Sequence, residues 1–184
     1  MIDGLDVHLV TRENLAQVKT VIVPFPPVIE TRVRRGDLAL LAAQGSQWVF
    51  RSSVVLGETI HPVTGHPLHL EPHDAYLECA ETMPEWRGRG VAPGMLGPTM
   101  RELLDRGYTR ALMTINIANH SSCRAAEKGG ARRIGMIIAY RSFGRWHATY
   151  MPLTADNQAL PLSPNPSPHV AETTHRRQIA VPRG

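Results

Sequence analysis

Cysteine, lysine and long apolar segments are scarce in this sequence. Cys79 and Cys123 are its only two cysteines. Because their surroundings differ, they predict free thiols in a reducing cytoplasm and exclude a disulfide framework. No apolar run reaches the length that spans a bilayer, and no basic segment followed by an apolar one stands near Met1, so no secretory signal is expected. These absences predict a cytoplasmic protein without a membrane partner.

The basic charge of the chain comes almost entirely from arginine. Of the 20 lysine and arginine residues, only Lys19 and Lys128 are lysines, and the formal net charge is +4 at pH 7. A basic stripe would indicate nucleic-acid binding, but these arginines are scattered along the chain. We therefore expect no nucleic-acid partner and attribute the balance to compositional bias with a few phosphate contacts.

The hydrophobic pattern predicts one domain with a mixed α+β architecture. A length of 184 residues with 42% apolar residues is enough for a proper core. Pro24, Pro26 and Pro27 predict an irregular segment after the first helix. Strands are expected at 6–10, 38–43, 48–56, 75–83, 110–117, 133–140 and 145–151, and helices are expected to begin at residues 12, 91 and 121.

This order of elements predicts a central mixed sheet of about seven strands with helices on both faces. The domain is expected to occupy residues 1–151. Residues 152–184 are rich in proline and polar side chains. They are expected to form a disordered tail, because such a segment cannot bury enough apolar surface to offset its conformational entropy.

Histidines cluster in the polar segment 57–72 and just after it. No cysteine stands near them, and the segment contains several proline and glycine residues. Because structural zinc sites combine histidine with cysteine ligands, we expect a solvated or substrate-facing loop here and no metal site. The residues concerned are His61, His66, His69 and His73.

The segment from Arg87 to Ala92 carries two glycines and two arginines between a predicted strand and a predicted helix. Glycine lets main-chain N–H groups come close to a ligand, and the following helix directs its positive end at the same point. A phosphate or diphosphate is the ligand that this composition favours. Candidate binding groups are the side chains of Arg87 and Arg89 and the N–H groups of Gly88, Arg89, Gly90, Val91 and Ala92.

A second motif follows at Asn119-His120-Ser121-Ser122, which opens a short helix ending near Gly129. Arg87-x-x-Gly90-x-Ala92 resembles the acyl-CoA-binding signature of the GNAT acetyltransferases, and the second motif resembles the Asn-x-x-Ser/Ala motif of that family. The resemblance covers residues 74–140. It implies a mostly antiparallel GNAT-like acyl-CoA fold, with acetyl-CoA as co-substrate and no metal.

The resemblance also implies the reaction and its partners. The acetyl group of acetyl-CoA would pass directly, in a ternary complex, to an amine of a small molecule or of a peptide or protein. A homodimer is a further expectation for this family. The segments that build the acceptor pocket in the family match no known acceptor site.

Further coenzyme contacts follow from position in the two motifs. Ala80, Glu81 and Thr82 would pair through their main chain with the pantetheine arm, and an N–H group there would hold the oxyanion. Asn119 and Ser122 would contact the coenzyme. Asn119 also fits a simple turn residue whose side chain bonds to the main chain.

Glu78 and Glu81 are the candidates for the general base that deprotonates the amine. Strand alternation directs them to opposite faces unless a bulge intervenes. Glu78 shares the parity of Thr82 and is the first choice. A half-buried carboxylate there would have a raised pKa, which suits proton abstraction.

The proton donor for the leaving thiolate has no counterpart in the family pattern. Ala126 stands where many relatives carry a tyrosine, and Ala131 replaces the usual aromatic residue. Ser122, Cys123 and Tyr140 are substitutes by their chemistry alone, and solvent is another donor.

Two alternative functions stay open. The missing tyrosine fits a non-catalytic acyl-CoA-binding module, such as a sensor. Small residues at Ala125, Ala126, Gly129 and Ala131 fit a wider channel for a longer acyl group, delivered by acyl-CoA or an acyl carrier protein.

Overall fold

The structure is a computed structural model that describes residues 4–68 and 70–153. Within that part, the chain divides into two compact units: residues 4–59, 67–68 and 70–132 form the first, and residues 60–66 and 133–153 form the second. The predicted tail lies outside the described residues from residue 154 onward, as does His69.

A five-stranded mixed sheet is the centre of the first unit. Neighbouring strands are antiparallel except for the last pair, β6 and β7, which is parallel. Short strands β4 (Thr59–Ile60) and β5 (Pro67–Leu68) interrupt the histidine-bearing loop. In order across the sheet, the five strands are β1 (Asp6–Val10), β2 (Leu38–Gln44), β3 (Gln47–Val55), β6 (Asp74–Thr82) and β7 (Arg110–Leu112).

Helices cover both faces of this sheet, so β2 has buried side chains on each face. One set of alternate residues packs with α3, and the other packs with α1 and α2. The helices are α1 (Leu15–Val21), α2 (Pro27–Arg35), α3 (Val91–Asp105) and α4 (His120–Lys128). The α3 side of β2 is Leu38, Leu40 and Ala42, and the α1–α2 side is Ala39, Leu41 and Ala43.

The predicted α+β class, the mostly antiparallel pairing and the helices on both faces are confirmed. The central sheet has five strands rather than about seven, because β8 (Gly135–Ser142) and β9 (Arg145–Pro152) form their own antiparallel pair in the second unit. Strand β7 is also shorter than the predicted 110–117. The chain turns after it, where the Asn116 side chain accepts a hydrogen bond from the Ala118 N–H at 2.9 Å.

Helix α2 was not predicted from the sequence, which indicated an irregular segment at its start. Pro27 is the first helical residue, a position where proline is favoured because that N–H needs no partner. Ile29 and Val33 are fully buried one turn apart, and Gly36 ends the helix in the left-handed conformation. Helix α1 begins at Leu15 rather than at residue 12.

Helix α3 runs without interruption through Pro98, and α4 packs against it at Gly129. A Cβ at Gly129 would clash with Leu96 Cδ1 and lie 3.0 Å from the Pro93 carbonyl oxygen. The space beside Gly129 is therefore occupied by Leu96 rather than open to an acyl chain.

We expect Gly129→Ala to lower the free energy of unfolding by about 1–3 kcal/mol, because the added methyl overpacks the α3–α4 contact. Gly97→Ala is the matched control, since a Cβ there has no neighbour within 4 Å. Helix propensity favours alanine, whereas the following proline disfavours it, so that change stays within about 1 kcal/mol. Urea unfolding measures both variants, and equal effects would contradict the described packing.

Candidate active site

The loop before α3 presents a row of main-chain N–H groups. Gly88 and Gly90 have φ angles of 76° and 80°, a left-handed conformation that glycine adopts without a steric penalty. Among the described residues, none of the N–H groups from Gly88 to Ala92 makes a close, well-aligned hydrogen bond. Because they precede and open a helix of 15 residues, they combine available donors with the positive end of its dipole.

The side chains of Arg87 and Arg89, the two arginines predicted to bind the ligand, each contact a neighbouring residue. The Arg87 Nε donates to the carbonyl oxygen of Thr82, the last residue of β6, at 3.1 Å. The Arg89 guanidinium lies over the Trp86 ring, 5.0 Å from its centroid, and Trp86 packs against the core on the α3 side. The arrangement fits a diphosphate, because fixed cations flank unpaired N–H donors.

A β-bulge interrupts β6 between Glu78 and Glu81. Glu78 pairs with Ser53 and Glu81 pairs with Arg51, so one residue of β3 faces two residues of β6, Cys79 and Ala80. Cys79 has a φ of 54°, which places it in the left-handed region. The bulge leaves exposed main chain at the position predicted to hold the acyl group and the pantetheine arm.

The bulge changes which side chains share a face. Since Arg51 and Ser53 are two residues apart on β3, their partners Glu81 and Glu78 lie on the same face of the sheet. That face is the one covered by α1 and α2. The prediction that the side chains of Glu78 and Thr82 lie on the same face of the sheet is therefore wrong, because the extra residue in the bulge reverses the alternation.

We expect Cys79→Gly to raise the free energy of unfolding by about 1 kcal/mol, because glycine relieves the positive φ angle. Cys79→Val should lower it by about 1–2 kcal/mol, since a β-branched residue fits this conformation poorly. The thiol is exposed, so neither change removes core packing. Chemical denaturation of the two variants checks the sign of each effect, and a more stable valine variant would contradict the bulge.

Strands β6 and β7 separate beside the bulge. They pair only from Asp74 to Tyr76 on β6, where the Arg110 side chain also binds the Asp74 carboxylate at 2.7 and 2.6 Å. The Tyr76 hydroxyl lies 2.5 Å from the Thr114 hydroxyl, and burial raises the pKa of Tyr76, which keeps it a phenol. From Leu77 onward, this edge of β6 pairs with no strand in the part of the chain that the structure describes.

Glu78 belongs to a half-buried cluster of charges. Its side chain is 8% exposed, and its Oε1 lies 2.5 Å from Nη2 of Arg32 on α2, an ion pair without hydrogen-bond alignment. Arg32 also approaches the Asp37 carboxylate at 3.8 Å. Burial raises the pKa of Glu78, and the Asp37 charge adds to this, although Arg32 opposes it.

Glu81 and its neighbour Arg51 form a more exposed ion pair on the same face. The Arg51 Nε donates to the Glu81 carboxylate at 2.9 Å, and the guanidinium lies 5.5 Å from the centroid of Trp48. The Glu81 side chain is 42% exposed. Of the two predicted bases, Glu78 therefore has the drier environment.

Asn119 and Ser122 meet at the start of α4. The Asn119 Oδ1 accepts hydrogen bonds from the Ser122 N–H at 3.1 Å and from the Ser121 hydroxyl at 2.9 Å, so Asn119 is the N-cap of the helix. This is the turn role that the sequence also allowed. The Ser122 hydroxyl makes no hydrogen bond to the described residues.

The substitutes for the proton donor belong to different units. Cys123 Sγ lies 3.9 Å from the Asn116 carbonyl oxygen, whereas Tyr140 belongs to the second unit, where its ring stacks on His147 at 5.1 Å. Arg32 and Asp37 were not among the predicted site residues. The four-residue spacing of the apolar residues Ile29 and Val33 was the signal that could have revealed the helix that carries Arg32.

Two features are absent from the described residues. Between residues 4 and 153, His69 excepted, no helix combines the length and apolar character that a membrane crossing requires. In the same part of the chain, no group of three or more histidine, cysteine or acidic residues is arranged to hold a metal ion.

Comparison with known proteins identifies the fold. No protein-family model matches the sequence, and no curated protein matches it. Solved structures do match. The aminoglycoside N-acetyltransferase AAC(6')-Iy, in complex with the bisubstrate analogue CoA-S-monomethyl-acetylneamine, has a TM-score of 0.54 at 16% identity, over 75% of this chain and 97% of that one.

Two further structures agree. An aminoglycoside acetyltransferase from an uncultured soil metagenomic sample has a TM-score of 0.53 at 10% identity, over 77% of this chain and 98% of that one. The ribosomal-protein-alanine N-acetyltransferase of Brucella melitensis biovar Abortus 2308 has a TM-score of 0.50 at 16% identity, over 75% and 99%. The chain therefore has the fold of the GNAT acetyltransferases, as its two motifs predict.

Proposed function

We propose that this protein is an N-acetyltransferase that transfers the acetyl group of acetyl-CoA directly to an amine. One observation carries the proposal: five consecutive N–H groups that make no close, well-aligned hydrogen bond, from Gly88 to Ala92, stand at the start of α3, directly after a bulged strand with a free edge. A diphosphate satisfies such donors, and an extended arm satisfies a free strand edge.

In this proposal the loop fixes the diphosphate and β6 fixes the reacting end of acetyl-CoA. Arg87 and Arg89 supply charge beside the N–H groups. The main chain of Ala80, Glu81 and Thr82 pairs with the pantetheine arm. An N–H group at the bulge, from Cys79 or Ala80, donates to the acetyl oxygen as negative charge develops there.

Glu78 then acts as the general base. It takes a proton from the acceptor ammonium, and the neutral amine forms a bond to the acetyl carbon. The nitrogen then loses a second proton to solvent as the carbon–sulfur bond breaks. The thiolate that leaves takes a proton from solvent, either directly or through the Ser122 hydroxyl, which solvent reprotonates. The raised pKa of Glu78 suits this step, because a base titrating closer to the working pH accepts the proton more readily.

A second function is favoured by one observation. Both candidate bases are ion-paired, Glu78 with Arg32 and Glu81 with Arg51, which also fits a module that binds acyl-CoA without turnover. The two functions make different predictions for a thiol-release assay with acetyl-CoA, run over amines, polyamines, aminoglycosides and peptides between pH 6 and 9.

The transferase predicts amine-dependent release of CoA together with formation of the acetylated amine, detected by mass spectrometry. The binding module predicts saturable acetyl-CoA binding in calorimetry and no release above the rate without amine. Absence of acetyl-CoA binding would contradict both functions. Stabilisation against thermal unfolding by acetyl-CoA, compared with that by a long-chain acyl-CoA, tests the length of the acyl group.

A further inference from the structure

A cavity on the α1–α2 side of the sheet has no role in the steps above. Its volume is about 390 Å³, a size that suits a small organic molecule. The segment joining α1 to α2 and the start of α2 form one wall, and β3 forms the other. Lining residues that matter here are Pro24 and Phe25 from the segment, Pro27 and Val28 from α2, and Trp48 and Arg51 from β3.

The walls of the cavity are apolar and held in place. Phe25, Val28 and Trp48 are partly buried and pack against the core beneath α1 and α2. The Val23 N–H donates to the carbonyl oxygen of Ser46 at 2.8 Å, which ties the segment to the turn between β2 and β3. A cavity with such walls exists before a ligand arrives, so binding costs little ordering.

The cavity lies on the same face as Glu78 and close to it. Arg51 lines the cavity, and Ser53, two residues along β3, pairs with Glu78. Two residues of a strand span about 7 Å. A molecule in the cavity therefore needs only a short reach to place an amine beside the Glu78 carboxylate and the bulge.

The charge of the cavity indicates which amines it accepts. Among the described residues that line it, only Arg51 is charged, and Arg51 is paired with Glu81 and covers the Trp48 ring. None of these lining residues is a carboxylate that could pair with a second positive charge on the acceptor. A polyamine or an aminoglycoside would lose hydration of its charges here without compensation, whereas an apolar ring gains contact with Phe25 and Trp48.

We propose that this cavity binds the acceptor by an apolar, ring-sized group, and that the acceptor is a primary amine carried on such a group by a short linker. The transfer step in this proposal rests on the proposed function. Binding of the apolar group does not, because the cavity is complete without acetyl-CoA.

The test compares 2-phenylethylamine with 1,4-diaminobutane and neamine on the full-length protein. Calorimetry measures binding of each amine, and thiol release with saturating acetyl-CoA measures kcat and KM. We expect kcat/KM for 2-phenylethylamine to exceed that for the other two by at least about 100-fold, because a well-fitted apolar group discriminates on that scale.

Phe25→Ala should raise Kd and KM for 2-phenylethylamine about tenfold with little change in kcat, because the ring contact contributes equally before and during the reaction. Phe25→Leu, which keeps an apolar wall if the alanine variant does not fold, should show a smaller rise. Leu104→Ala is the control, since Leu104 is exposed on α3, which covers the opposite face of the sheet, and it should leave both constants unchanged.

The outcomes separate the two proposals. Binding of 2-phenylethylamine that depends on Phe25, without thiol release, supports the cavity and overturns the transferase function. Turnover of 1,4-diaminobutane or neamine as good as that of 2-phenylethylamine, or insensitivity to Phe25, overturns the cavity while the transferase function stands. Neither binding nor turnover of any amine overturns both.

Discussion

Glu78→Gln is expected to lower kcat by about 10²–10⁴-fold, the usual contribution of a general base. Acetyl-CoA affinity should stay unchanged, because Glu78 lies on the α1–α2 face and not in the loop that opens α3. The substitution keeps the size of the side chain and leaves an amide beside Arg32. Steady-state kinetics and calorimetry on the same preparation measure the two quantities.

Glu102→Gln is the matched control for this loss. It also removes one carboxylate, but from a helix-surface pair with Arg106 at 2.6 Å, so activity should be retained. Glu81→Gln identifies the base: if it lowers kcat more than Glu78→Gln does, the assignment of Glu78 is wrong and the more exposed carboxylate is the base.

The pH dependence of kcat/KM gives a second test of Glu78 as the general base. A base must be deprotonated to act, so activity should rise with pH through the pKa of Glu78, which burial raises above the ordinary 4.5. The attraction of Arg32 opposes that rise, so Arg32→Met should move the acidic limb of the profile to higher pH. A limb that stays in place would contradict the pairing.

The same pKa has a consequence for stability. The folded chain holds the Glu78 proton more tightly than the unfolded chain does. The contribution of Glu78 to the free energy of unfolding is therefore complete below its ordinary pKa, and it is lost as pH rises through the raised pKa of the folded state. Glu78→Gln should remove this pH dependence. Unfolding in urea across that pH range measures it.

Gly90→Asp is expected to weaken acetyl-CoA binding about 10–100-fold, since it sets a negative charge among the N–H groups that would receive the diphosphate. Gly90→Asn is the matched control. Both residues tolerate the left-handed conformation of Gly90, and a Cβ there meets no atom within 4 Å. The two variants differ in charge alone.

Calorimetric titration with acetyl-CoA compares the pair, and thermal unfolding confirms that both fold. A salt series adds a check, because the difference between aspartate and asparagine should shrink as ionic strength rises. Equal affinities of the two variants would exclude the loop as the diphosphate site.

Local signals predicted the strands and the loop. The apolar strands β2 and β3 and the glycine–arginine segment before α3 follow from periodicity and residue type. The start of α2 was misinterpreted because Pro27 is a helix breaker in most positions but a favoured first residue here. In each case the decisive property belongs to a few consecutive residues.

The features that could not be predicted from the sequence depend on contacts between segments that are distant along the chain. The bulge at Cys79 exists because one residue of β3 faces two of β6, and nothing in the run from Glu78 to Thr82 reveals that count. The contact of Arg32 with Glu78, and the meeting of Phe25 with Trp48 around a cavity, likewise need the packed helices α1 and α2.

The most direct measurement is a titration of the ¹⁵N-labelled protein with CoA, followed by amide NMR. We expect saturable shifts, at one Kd, and protection from solvent exchange for the amide resonances of Gly88, Arg89, Gly90, Val91 and Ala92. Saturable binding of CoA that leaves these five amides unmoved, or no binding at all, would contradict this expectation.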